Sequence, residues 1–241
     1  MFHNEYDNFE FFNKYKDMKR SIDGLEAAGE WHEFRKMLPD IREKNILDLG
    51  CGFGWHCRYF VDEGAKFVIG VDLSKNMLDV AKQKTNAQLI EYLNMPIEDF
   101  DYQENFFDIV ISSLVFHYIE DFDSIIKKIK KYLKSDGLLI FSVEHPIFTS
   151  IDKQDWYYDE LGNPIHWPID YYFDEGIRKT IFLEKRVIKY HRTLTTYINT
   201  LILNEFDIVK LVEPIPPEHL IEDMKDEIRR PMMLLIKCKK R

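Results

Sequence analysis

The stretch Asp48-Leu49-Gly50-Cys51-Gly52-Phe53-Gly54 constrains this chain more than any other. The apolar residues before it, Ile46 and Leu47, predict a short buried strand over 45–49. Trp55, Tyr59 and Phe60 predict a helix that begins at about Gly54. Glycines at alternate positions let the backbone bend sharply and approach a ligand with no side chain between. The free N–H groups of the following helix start face the same ligand. A dinucleotide turn reads G-x-G-x-x-G, whereas this one reads G-x-G-x-G. The phosphate loop G-x-x-x-x-G-K-[ST] is absent. Asp48, just before the glycines, would repel a phosphate and suits a ligand that carries an ammonium group.

A second acid narrows the reading. Asp72 ends the next apolar run, Phe67-Val68-Ile69-Gly70-Val71, where a carboxylate accepts hydrogen bonds from ribose hydroxyls. An amino group together with a ribose points to S-adenosylmethionine. The glycine stretch resembles motif I of the class I S-adenosylmethionine-dependent methyltransferases, and Val71-Asp72-Leu73-Ser74 resembles their acidic segment after the second strand. Phe107-Asp108-Ile109-Val110-Ile111-Ser112-Ser113-Leu114 is similar to their fourth-strand motif. Lys134-Ser135-Asp136-Gly137-Leu138-Leu139-Ile140-Phe141 is similar to the turn into their fifth strand. These motifs fall in order over residues 40 to 145. Within the family the chain most resembles bacterial-type methyltransferases with a Val143-Glu144-His145-Pro146 segment and an aromatic insertion, a likeness that names no substrate.

The resemblance implies a doubly wound, seven-stranded, mostly parallel sheet with a seventh strand antiparallel between strands five and six. The expected strands are 45–49, 67–71, 89–93, 107–112, 138–143, 206–212 and 232–238, with helices at 55–63, 75–84, 121–134 and from Leu194 to Ile202. We expect one methyltransferase domain over 1–241: an N-terminal helical lid to residue 40, a cofactor core over 41–145, an aromatic substrate-side insertion over 146–192, and the rest of the core over 193–241. In the lid, one helix is expected around Phe9–Met18 and a second from Leu25 to Leu38, stopped by Pro39. Trp156, Tyr157, Tyr158, Trp167, Tyr171, Tyr172 and Phe173 make the insertion aromatic, and it leaves from the ligand edge of the sheet.

Composition sets limits. The net charge of −9 offers no basic footprint for nucleic acid. No apolar run approaches a membrane span, and residues 1–5 lack a signal-peptide pattern, so a cytoplasmic protein is expected, as a monomer or homodimer. Cys51, Cys57 and Cys238 form no C-x-x-C pair, so no zinc site or disulfide framework is signalled. No other metal is expected.

The expected cofactor contacts are Asp48, Gly50, Cys51, Gly52 and Gly54 at the turn, and Asp72, Leu73 and Met77 after strand two. Ile97 and Glu98 after strand three, with Leu73, would border the adenine, and Ser113 and Leu114 close strand four. The acid that many family members carry near Pro96 is missing. From the lid, Arg20 and Trp31 join the cofactor candidates, beside Tyr6 and Tyr15. Methyl transfer is an in-line displacement, so the protein mainly positions the reactants. The acceptor is expected to be a small molecule and the product S-adenosylhomocysteine. For a base the candidates are His145, Glu144 and His117, with Tyr118 beside them, and His191 and Arg192 reaching in if the insertion folds back. A non-catalytic S-adenosylmethionine-binding module and a nicotinamide-dependent oxidoreductase are the alternatives.

Overall fold

The computed structural model describes residues 4–86 and 88–241. Its strands are β1 Asn45–Leu49, β2 Phe67–Asp72, β3 Ile90–Asn94, β4 Phe107–Ser113, β5 Leu133–Glu144, β6 Tyr157–Tyr158, β7 Pro164–His166, β8 Gly176–Phe182, β9 Lys185–His191, β10 Phe206–Val212 and β11 Met233–Lys240. The helices are α1 Phe9–Lys16, α2 Lys19–Asp23, α3 Trp31–Met37, α4 Trp55–Asp62, α5 Lys75–Gln83, α6 Phe122–Tyr132, α7 Pro146–Thr149 and α8 Leu194–Leu203. Seven strands form one sheet in the order β10-β11-β5-β4-β1-β2-β3. Strand β11 runs antiparallel to both β5 and β10, and the other neighbours are parallel. This is the doubly wound, mostly parallel sheet that the resemblance implies, with the reversed strand where the resemblance put it.

Period-two alternation splits the core into two layers. Leu47, Leu49, Val110 and Phe141 face α6, whose Phe122, Ile125, Ile126 and Ile129 lie on one stripe, and α8, through Tyr197 and Leu201. On the other face Ile46, Val68, Ile109 and Ile140 pack with Trp31 and Phe34 of α3 and Phe60 of α4. Asp48 pairs in register with Gly70 and Leu49 with Val71, so β1 and β2 end together and their loops share one edge.

Three expectations shift. The helix expected from Leu25 to Leu38 is a 3-10 turn, Gly24–Ala27, followed by α3. Gly24 stands at φ +68, and a Cβ there would lie 2.6 Å from Trp55. The chain turns at this point to let α4 approach. Strand β5 starts at Leu133 rather than Leu138, because Leu133 already pairs with Phe107 before the irregularity around Asp136, at φ +63, and Gly137 resets the register. Strand three runs one residue late, over Ile90–Asn94.

The insertion divides in two. Phe148 stacks on Trp167 at 5.0 Å and Trp156 meets Trp167 edge-on. Arg230 lies 4.3 Å above Trp167 and Arg229 4.2 Å above Trp156, which ties this aromatic knot to the segment before β11. The β8–β9 hairpin is separate and folds back over the ligand edge of the sheet.

Candidate active site

The turn after β1 takes its shape from three glycines with positive φ: +77 at Gly50, +52 at Gly52 and +69 at Gly54. A Cβ on Gly50 would lie 2.1 Å from Val115, and one on Gly54 2.3 Å from the Tyr92 hydroxyl. At Gly52 the same test meets nothing within 4 Å. Gly50 and Gly54 are thus required by the protein's own packing, whereas the open space at Gly52 faces the cavity. Asp72 closes the turn: one carboxylate oxygen accepts the Gly52 N–H and the other the Ser74 N–H, both at 2.8 Å. Burial pushes the Asp72 carboxyl up to about 6 against these two bonds. Asp48 is 1% exposed and accepts a hydrogen bond from the Cys57 thiol at 3.2 Å, and burial pushes it up to about 7. Asp72 lines the cavity and is placed to ionise beside an incoming cation, whereas Asp48, expected as a cofactor contact, is buried against Cys57 and does not line it.

A cavity of about 550 Å³ opens from this turn, within the range of sites that enclose small ligands. At one end lie Gly50, Gly52, Asp72, Leu73, Met77, Ile97 and Glu98. Ser113 and Leu114 line its middle. Burial raises the Glu98 carboxyl. At the other end stand His117, Tyr118, Glu144 and, from the hairpin, Phe182, Val187, Ile188, Lys189 and Tyr190. The lid crosses above: Tyr6, Tyr15 and Arg20 line the roof, and the Tyr6 hydroxyl lies 3.4 Å from that of Tyr118. Asp7 holds the lid down. Its carboxylate accepts from Ser74 Oγ at 2.6 Å and from the amides of Asn76 at 3.0 Å and Lys75 at 3.3 Å. These are free donors at the start of α5, where a negative charge is favoured.

The polar floor of the far end is a network. Lys189 Nζ donates to Glu144 Oε1 at 2.6 Å and to Gln154 Oε1 at 3.0 Å, and Gln154 Nε2 donates to Glu144 Oε2 at 3.2 Å. Burial opposes the Glu144 charge, but His117 and Lys189 outweigh it and hold the carboxyl below its usual value. The Glu144 amide donates to His117 Nδ1 at 3.3 Å, which leaves the ring proton on Nε2, 4.0 Å from Glu144 Oε1. Burial drives the His117 imidazole down to about 4.

Several sequence candidates stand elsewhere. His145 does not line the cavity: it is 4% exposed, its Nδ1 caps α7 by accepting the Ile147 N–H at 3.1 Å, and its Nε2 lies 2.8 Å from Glu213. Trp31 is core, edge-on to Tyr59 at 4.9 Å. Cys51 is buried, and Gly54 serves the helix start as its left-handed cap. Arg20 reaches the roof but forms an ion pair with the buried Glu30. His191 is held between Thr149 and the Tyr172 carbonyl, and Arg192 donates to the carbonyls of Phe116, Ile119 and Glu120, so neither enters the cavity. None of the aromatic residues between 156 and 173 lines the cavity. The residue that the sequence reading missed is Lys189. A lysine sharing one face of β9 with Val187 and His191 was the available signal.

Residues 47–141 match the model of a methyltransferase domain. The crystal structure of a candidate S-adenosylmethionine-dependent methyltransferase from Listeria monocytogenes superposes with a TM-score of 0.87 at 54% identity, covering 90% of this chain and 99% of that one. The chain belongs to the S-adenosylmethionine-dependent methyltransferases. A second such enzyme, from Mesorhizobium loti, gives a TM-score of 0.84 at 38% identity over 90% of this methyltransferase and all of that chain. An uncharacterised protein of Haemophilus influenzae is 34% identical over 98% of this chain and 96% of its own length. The curated relatives that carry substrate names are matched over less than half their length. One is a ubiquinone biosynthesis O-methyltransferase of Neisseria meningitidis, 31% identical over 43% of this chain and 45% of its own. The cofactor of the family is S-adenosylmethionine, and the open space at Gly52 beside Asp72 fits it. Among the described residues no helix is long and apolar enough to cross a membrane, and no group of three or more acidic, histidine or cysteine side chains is placed to hold a metal.

Proposed function

We propose that this methyltransferase acts on a small-molecule acceptor bound between the His117–Glu144–Lys189 floor and the Tyr6–Tyr118 roof. The observation that supports this most is the roofed shape of the cavity. The lid and the β8–β9 hairpin both line it together with the glycine turn, which leaves room for a compact guest beside the donor. In this reading Gly50, Gly52 and Asp72 hold the amino-acid and ribose parts of the cofactor, while Leu73, Met77 and Ile97 pack against the adenine and Glu98 takes its amino group. When bound, the cofactor supplies an activated methyl group. The chain's own residues align the acceptor with it and keep water out, which can contribute roughly 7–11 kcal/mol in well-oriented cases. In this reading Arg20, which lines the cavity and is paired with Glu30, would meet the cofactor carboxylate. The test is incubation of the purified protein with methyl-labelled S-adenosylmethionine and fractionated small metabolites. Label transferred into a low-mass product supports the reading. Label found only in RNA or protein substrates overturns it.

A further inference from the structure

The charges around the acceptor end are unevenly committed. Among the described residues the cavity wall carries the carboxylates Asp72, Glu98, Glu120 and Glu144 beside the cations Arg20 and Lys189. Both cations already have carboxylate partners: Arg20 is paired with Glu30, and Lys189 with Glu144 at 2.6 Å. An anionic acceptor would find no uncommitted cation among the described residues of this wall, and Glu144 would repel it where Lys189 is within reach. Glu120 stands exposed at the rim, and its carboxylate accepts from the Tyr190 hydroxyl at 3.3 Å. The roof adds Tyr6, which meets Tyr15 edge-on at 5.2 Å and Tyr118 at 6.4 Å, and the faces of such rings attract cations.

The same end offers no strong base. The lone pair of His117 Nδ1 is committed to the Glu144 amide, and its Nε2 carries the proton. Glu144 is locked as a carboxylate by Lys189 and Gln154. An alcohol or phenol must lose its proton as it attacks, and neither His117 nor Glu144 is free to take it. An ammonium ion can lose its proton to solvent before the step, and the neutral amine then attacks with no base in the site.

We infer that the acceptor is an amine, so that the reaction is N-methylation. This inference rests on the methyl-transfer reading above. The nitrogen lone pair forms the new N–CH₃ bond, and the electron pair of the broken S–CH₃ bond stays on sulfur. The positive charge that leaves sulfur lands on nitrogen, between Glu144, Glu120 and the tyrosine rings. Charges already in place where charge develops favour the transition state over the ground state. The ammonium product then loses its proton to solvent.

The test uses the full chain saturated with S-adenosylhomocysteine and three probes of one shape: 2-phenylethylamine, 4-ethylphenol and 3-phenylpropanoate. Calorimetry reads their binding. The amine is expected to bind at least tenfold more tightly than the carboxylate. In Glu144→Gln, which leaves Lys189 without its carboxylate, the preference is expected to move at least tenfold toward the carboxylate probe. Glu120→Gln, at the exposed rim, tests the same idea without risk to folding and is expected to weaken the amine about threefold. With labelled cofactor, the methylation rate of amine probes of differing basicity should rise with pH up to each probe's own pKa. An amine that binds no better than the carboxylate, undetectable binding included, overturns the inference. So does a pH profile fixed by the enzyme whatever the probe. Loss of S-adenosylhomocysteine binding itself would instead overturn the cofactor reading on which this one stands.

Discussion

The two ends of the cavity are built differently. The cofactor end comes from three consecutive strand ends, β1, β2 and β3, and its key contacts join residues close in sequence: Gly52 to Asp72, Asp72 to Ser74, Gly50 to Val71. A backbone group takes part in each of these contacts. The acceptor end brings together Tyr6, His117, Glu144, Lys189 and Met232 from across the chain. Side chains make its polar contacts, and each is oriented by the next. An end made of backbone is closely constrained by its fold. An end made of side chains on a hairpin can change its guest while the sheet stays as it is.

Substitutions at the glycine turn probe that contrast with the largest expected effects. Gly52→Ala adds a methyl group where the protein leaves open space, so folding should be nearly unaffected, apart from about 1–2 kcal/mol for a non-glycine residue at positive φ. Binding of S-adenosylhomocysteine should fall by at least about a hundredfold, ~3 kcal/mol. Gly50→Ala, driven into Val115, should instead lower the melting temperature or prevent folding. Calorimetry and thermal melts on both variants separate the two outcomes. If Gly52→Ala binds normally, the turn does not face the cofactor.

Lys189→Met should act at the other end. It strands Glu144 as a buried, unpaired carboxylate, which costs up to about 3–5 kcal/mol of stability. At this chain length that is a fall of roughly 6–20 °C in melting temperature. Affinity for S-adenosylhomocysteine should stay within about threefold of wild type. An equal loss of cofactor binding would show that the two ends are not separable.

Asp7→Ala releases the lid from the start of α5. Helix α5 keeps its own cap, Ser74 to the Met77 amide, so stability should change by less than about 1 kcal/mol. Dissociation of S-adenosylhomocysteine, followed by stopped flow, should speed up about tenfold. No change in that rate would mean that the lid does not cover the cofactor.

Cofactor affinity should also depend on pH. Burial raises Asp48 to about 7 and Asp72 to about 6 in the free protein. Both are therefore partly protonated below those values, and a cationic ligand beside Asp72, the one of the two that lines the cavity, favours its ionised form. Binding near pH 6 should release protons, and affinity should rise from pH 5.5 to 8. The raised values have the opposite sign for the free protein: these two acids favour the folded state below their unfolded pKa and lose that contribution as pH rises through 6 to 7. Titrations in buffers of different ionisation enthalpy read the proton release. The smallest effect is expected at His145. His145→Ala removes a cap of α7 and the Glu213 contact, about 1 kcal/mol of stability, and should leave methyl transfer within about twofold.

What the sequence revealed follows the same division. The strands themselves and the glycine turn were legible, because apolar runs and glycine spacing are local signals, while the reversed β11 and the gathering of Gly50, Gly52, Asp72 and Ile97 at one edge followed from the family resemblance. His145 misled because the chain before Pro146 had two uses for a histidine. The sequence shows that a titratable group follows strand five, but not that its ring turns back to cap α7. Trp31 misled for a related reason, since an aromatic on a lid helix reads alike whether it faces a ligand or Tyr59. The aromatic run over 156–173 suggested a substrate wall, yet its tryptophans stack with Arg229 and Arg230 from the far end of the chain. Lys189 was hidden because its partner Glu144 lies on a different sheet, and only folding brings them within 2.6 Å.

The most direct test is calorimetric titration of S-adenosylhomocysteine into the wild-type protein and into Asp72→Ala. The account predicts one site per chain in the wild type and an affinity lower by roughly 30-fold or more in the variant, about 2 kcal/mol. No uptake by folded wild-type protein, or equal affinity in the two, would contradict it.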